Sequence, residues 1–190
     1  MERIVLDNRN FIIGYHTQEF RHDGILAKPI LCNIDSAWLG IGYYFWTDIE
    51  FARYWGEDFK MRKTGYYDIY TAHLDTDKCI NAVFNEEQYF FFRRCIDKAI
   101  DRYEKTGTPI TLKRVNEFLA ENFWTKLGVT GIIYDDLPFN PSNKPDRKYS
   151  LVEYKEYGNA RFFYYKKRIQ IAMFSLSNIR NFNLHSEEQS

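Results

Sequence analysis

Residues 38–56 read Trp-Leu-Gly-Ile-Gly-Tyr-Tyr-Phe-Trp-Thr-Asp-Ile-Glu-Phe-Ala-Arg-Tyr-Trp-Gly, and this stretch decides the fold. Tyr43–Trp46 is a run of rings, the material that fits a pleated, half-buried strand. Asp48 carries the short acceptor side chain of a helix N-cap, so Ile49–Trp55 reads as a helix entered directly from that strand, with Gly56 as its stop. Working outward, residues 11–16 (FIIGYH), 67–74 (YDIYTAHL), 131–134 (GIIY) and 169–174 (IQIAMF) read as strands. Neither alternate face of YDIYTAHL is cleanly polar, which predicts a sheet covered on both sides. Asn85 caps a helix over Glu86–Lys105, whose acidic start and basic end suit the helix dipole. Thr111 starts another that runs to Gly128. Strands and helices do not alternate regularly, so the chain reads as α+β rather than doubly wound.

Composition narrows the class. The 190 residues hold 16 Phe, 15 Tyr and 4 Trp, which excludes a disordered polar chain and makes rings the main core and pocket material. With 26 basic and 26 acidic residues the net charge is zero, so a basic nucleic-acid coat and an acidic decoy are both excluded, although a local patch is not. Cys32, Cys79 and Cys95 form no CxxC pair and point to a reducing compartment. The first seven residues carry charges where a signal peptide needs an apolar run. The charge-free stretch 36–47 is far short of the roughly 20 residues that cross a membrane. The expectation is a soluble, cytoplasmic, single domain over residues 1–190 with no membrane partner and a disordered tail over 184–190. Residues 137–148 (LPFNPSNKPDRK) hold three of the five prolines and read as a long functional loop.

Three patterns carry chemistry: Gly14-Tyr15-His16-Thr17 at a strand end, residues 38–45 before the Asp48 helix, and Gln170 within Ile169-Gln170-Ile171. Singly they say little. The Gly40-x-Gly42 pair lacks the spacing of a dinucleotide cradle, and a histidine on a strand is more often structural than functional. Gln170 says more, because a buried amide must find partners or cost roughly 1–3 kcal/mol, so it bridges loops or faces a ligand. Asp135-Asp136 offers oxygens for a divalent ion, but neighbours on a strand point to opposite faces. His22, His73 and His185 have no ligand spacing, so no metal is expected. Lys148, Lys155, Arg161, Lys166, Lys167 and Arg168, interleaved with rings, suit either a solvated basic loop or a single-stranded nucleic acid.

In combination, G-Y-H-T, W-L-G-x-G-x-Y-F-W-x-D and the closing I-Q-I-A resemble the ADP-ribosyltransferase superfamily. The branch is the His-Tyr-Glu one of diphtheria toxin and the poly(ADP-ribose) polymerases, and the likeness is to its small bacterial toxin-type members. It runs in pieces from about Gly14 to Ile179. It implies an ADP-ribosyltransferase-like fold of two small packed antiparallel sheets that form an NAD cleft with flanking helices. It further implies that His16 bonds an NAD ribose hydroxyl, the Thr17 backbone clamps the nicotinamide amide, and Tyr44 stacks on the nicotinamide ring. Trp55, or its neighbour Tyr54, takes the second stacking place. Gln170 stands where the branch carries its catalytic glutamate, with Glu153 and Glu156 as the nearest upstream carboxylates to substitute for it. A neutral hydrogen bond there contributes about 1 kcal/mol less than a charged one, on the order of tenfold in rate. The activity implied is mono-ADP-ribosyl transfer from NAD, as co-substrate, to a protein or nucleic acid, in a toxin, toxin–antitoxin or phage-defence setting with an antitoxin or immunity partner. The alternatives are a non-catalytic NAD, ADP-ribose or nucleic-acid binder, an NAD glycohydrolase, and an RNA 2′-phosphotransferase, the last lacking its set of cleft arginines.

Overall fold

A computed structural model describes residues 1–6, 9–21, 24–136, 150–153, 161–164 and 166–185. β1 (Arg3–Leu6) lies antiparallel to the start of β2 (Arg9–Glu19), the long strand that organises the sheet. β3 (Tyr43–Trp46) passes through Asp48 into α1 (Ile49–Trp55), and the Asp48 carboxylate accepts the Glu50 backbone N–H at 2.9 Å. The helix does not stop at Gly56. It continues through a π-helical turn (Gly56–Lys60) and α2 (Met61–Thr64) to Gly65, whose φ of 82° ends it. A Cβ on Gly56 would lie 2.3 Å from a ring carbon of Tyr67. This glycine therefore lets the helix press onto β4 (Tyr67–Asp75), which is a packing role and not a terminating one.

β5 (Cys79–Asn81) precedes α3 (Glu86–Lys105), capped by Asn85 through the Gln88 N–H. α4 (Leu112–Leu119), capped by Thr111, runs through a second π-helical turn (Ala120–Trp124) into α5 (Thr125–Leu127). The strands that follow are β6 (Gly131–Asp135), β7 (Ser150–Glu153), β8 (Arg161–Tyr164), β9 (Ile169–Met173) and β10 (Ile179–Leu184). Because β10 reaches Leu184 and the His185 N–H bonds the Ile69 carbonyl at 2.8 Å, the chain is still in the sheet where the sequence reading began its tail. Residues 137–149, which contain the proline-rich loop, lie outside the described residues.

The result is an α+β fold with a mostly antiparallel sheet, ordered β10-β4-β2-β3-β9-β6-β5, with β1 also on β2. Among the described strands only β5 and β6 run parallel, and β7 and β8 pair as a separate two-stranded sheet. In place of two small packed sheets the main sheet among the described residues has eight strands, seven in one path with β1 beside β2, yet it has a weak seam. β2 pairs with β4 along residues 11–19 but meets β3 only at Tyr15↔Trp46, while β3 pairs with β9 throughout. Past that pair the ladder parts, and a gap opens between the two halves.

Both faces are covered. Every residue of β9 is buried. Ile169, Ile171 and Met173 pack with Ile12, Phe45 and Leu74, whereas Ala172 joins Leu39, Ile132 and the Phe92, Leu119 and Trp124 side chains of the helices. Each fully buried large apolar side chain stabilises the fold by about 1.5–3 kcal/mol. These two cores hold the halves on either side of the seam in place.

Candidate functional site

Beside the seam lies a cavity of about 610 Å³, within the range of small-ligand sites. His16, Thr17, Tyr44, Trp55 and Gln170 all line it, though they come from β2, β3, α1 and β9. Tyr54 does not. Its ring lies under the Arg168 guanidinium at 5.3 Å, in a cluster with Trp46, Phe51 and Ile69.

His16 closes the parted ladder with its side chain. Its Nδ1 lies 2.9 Å from the Tyr44 carbonyl, which can only accept, so Nδ1 carries the hydrogen and Nε2 is left as an acceptor. Nε2 is buried and makes no hydrogen bond among the described residues, although the Gln18 side chain lies near the ring. Burial lowers the His16 pKa to about 4, which keeps the ring neutral at pH 7. Phe45 at 5.5 Å and Phe182 at 6.0 Å hold the ring.

Thr17 donates its hydroxyl to the Ala52 carbonyl at 2.8 Å, so this side chain ties α1 to β2. The Tyr44 hydroxyl is also spent on structure: it donates to the Gly40 carbonyl at 2.7 Å and accepts the Leu39 N–H at 3.1 Å. Gly40 sits at φ 94°, a turn conformation that favours glycine. Burial pushes the Tyr44 phenol well above its usual range. What Tyr44 offers a ligand is therefore a fixed ring, not an acid. Gln170, 7% exposed, accepts the Trp38 indole N–H with its oxygen at 2.8 Å, and it lines the cavity. Trp38 is held edge-on against Tyr134 at 5.7 Å.

The structure adds residues that sequence reasoning missed. Phe59, 47% exposed, stacks on Trp55 with centroids 4.1 Å apart, so the cavity wall carries a ring pair there. Phe59 follows Trp55 by four residues, a helical spacing hidden by the stop placed at Gly56. Arg21, Lys60 and Lys63 bring cations to the cavity wall beside Glu19. Burial alone would raise the Glu19 carboxyl, but the Lys60 ammonium at 2.8 Å holds it down at about 2.

Asp135 and Asp136 are engaged by cations, Lys167 at 3.1 Å and Arg168 at 2.8 Å respectively. Lys166 pairs with Glu50 at 2.6 Å, so the described end of the basic stretch is bound up within the chain. Lys148, Lys155, Glu156 and His22 lie outside the described residues, and for Arg161 and Glu153 only the backbone is described. His73 bonds Asn181 at 3.0 Å, and His185 sits edge-on to Tyr15. Among the described residues no His, Cys, Asp or Glu cluster is arranged to hold a metal, and no helix is long and apolar enough to cross a membrane. No protein-family model, curated protein or solved structure matches the chain.

Proposed function

We propose that this chain is a mono-ADP-ribosyltransferase of bacterial toxin or defence type, transferring ADP-ribose from NAD to a macromolecular acceptor with release of nicotinamide. One observation carries the reading: five of the six residues that the resemblance assigns to NAD line one ligand-sized cavity. The chemistry of each position fits. The unpartnered His16 Nε2 accepts a ribose hydroxyl, which removes the penalty of an unsatisfied buried acceptor. The rings of Tyr44 and of Trp55 with Phe59 receive a flat cationic heterocycle, and Arg21, Lys60 and Lys63 suit a diphosphate.

The bond between nicotinamide and ribose breaks with its electron pair leaving on the nicotinamide nitrogen, and the acceptor's nucleophile supplies the pair that bonds C1′. The contribution of the chain is placement of the two reacting ends in a pre-formed cleft. The setting is cytoplasmic, with an antitoxin or immunity protein as the cognate partner. Release of nicotinamide from NAD by the pure protein, lost in His16→Ala and Tyr44→Ala, is the test. Absence of both NAD binding and turnover in the folded wild type rejects the reading.

A second reading is favoured by Gln170, whose amide is neutral and whose oxygen is already engaged by Trp38. It is a non-catalytic relative that binds NAD or ADP-ribose, and it predicts calorimetric binding of NAD without nicotinamide release.

A further inference from the structure

The residue at 170 carries no negative charge, so the proposed transfer lacks a carboxylate where the resemblance expects one. The sheet register supplies another. Tyr134 of β6 is paired with Gln170 of β9, and the ladder continues past the end of β6 through the Asp136 N–H to the Arg168 carbonyl at 2.7 Å. Asp136 is two residues beyond Tyr134 and therefore on the same face as Gln170, about 7 Å further along the strand. It lines the same cavity.

Its carboxylate is held by one oxygen only. Oδ2 accepts from Arg168 Nη2 at 2.8 Å, and among the described residues Oδ1 has no protein partner. Arg168 is itself fixed over the rings of Trp46 at 5.5 Å, Tyr54 at 5.3 Å and Phe51 at 6.0 Å. The arginine thus works as a rigid bracket that sets where Oδ1 lies. The charged groups that face this carboxylate or share its cavity are Arg168, Asp135, Arg21, Lys60, Lys63 and Glu19, and the cavity also holds His16, Tyr44 and Cys32. Burial dominates over Arg168 and keeps the Asp136 carboxyl above the usual range, as suits a proton acceptor.

We propose that Asp136 is the general base that activates the acceptor in this cavity. The inference rests on the NAD reading above. As the nucleophile's lone pair bonds C1′ and the bond to nicotinamide breaks, the nucleophile's proton passes to Asp136 Oδ1 and from there to solvent. The acceptor class that follows is a hydroxyl or nitrogen nucleophile with a proton to lose, water included.

The test is nicotinamide release by the wild type and by Asp136→Asn, which keeps an oxygen for Arg168 but cannot take a proton. The expected result is a fall in kcat of about 100-fold with KM for NAD changed less than about threefold, and loss of the acidic limb of the kcat–pH profile. Azide, a nucleophile with no proton to remove, should restore nicotinamide release in the variant and yield ADP-ribosyl azide. If Asp136→Asn does not fold, Asp136→Glu keeps the charge and the Arg168 pair while displacing the oxygen, and it should show the same kcat loss at unchanged KM. Full kcat in the folded variant, or no azide rescue, overturns the inference and leaves the NAD reading standing. A wild type that releases no nicotinamide overturns both.

Discussion

His16 makes the stability of the fold depend on pH within a defined window. Its imidazole is 6% exposed, and burial lowers its pKa from 6.5 to about 4. Between those values the unfolded chain binds a proton that the folded chain refuses, so stability is complete above pH 6.5 and is lost as pH falls towards 4. A difference of about 2.5 units at 1.36 kcal/mol each gives about 3 kcal/mol, and in a domain of this size Tm should drop by roughly 6–12 °C. The assay is urea unfolding of the wild type and His16→Asn at about pH 7 and about pH 4. Asparagine keeps a donor near the position of Nδ1 for the Tyr44 carbonyl and does not titrate. Glu19, whose stabilising effect fades between pH 4.5 and about 2, and Asp136, which acts in the opposite direction, cancel in the difference between the proteins. The wild type should lose about 3 kcal/mol more than the variant. Equal losses would refute the burial argument for this ring.

Other outcomes follow from single contacts. Gln170→Glu should raise nicotinamide release about tenfold, because a charged acceptor replaces a neutral one while Trp38 still finds an oxygen to donate to; unchanged turnover would show that charge at this position is irrelevant. Gly56→Ala should cost about 1–3 kcal/mol in urea unfolding, since the added methyl meets the Tyr67 ring, and a neutral effect would mean that the helix slides freely on β4. Phe59→Ala removes one ring of the stacked pair and should weaken NAD binding in calorimetry by about 1 kcal/mol, roughly fivefold, with little change in stability because the side chain is half exposed.

Much of the fold was legible because its signals are local. Asp48, Asn85 and Thr111 cap helices where their side chains predict, and the ring-rich strand at Tyr43–Trp46 and the apolar strand at Ile169–Met173 lie where their patterns put them. β1 and β5 hold only four and three residues, and β10 shifts its register between Arg180 and Asn183, so none shows a clean period of two and their neighbours in the sheet define them. Gly56 misled for a related reason: whether a glycine ends a helix or admits a ring depends on Tyr67, eleven residues away and on another element. In the site, His16, Tyr44 and Gln170 were readable as motif positions, but the bond between Trp38 and Gln170 spans 132 residues and follows only from the folded path. Asp136 was seen as one of an acidic pair, and only the register of β6 on β9 gives it the same face as Gln170.

Whether the cavity at the β2–β3 seam binds the nicotinamide half of NAD is decided by a crystal structure of the protein grown with NAD or its products. The expected result is nicotinamide against the Tyr44 ring, with a ribose hydroxyl bonded to His16 Nε2 and density reaching Gln170. A dinucleotide seated elsewhere on the surface, with His16 Nε2 still without a partner, would contradict it.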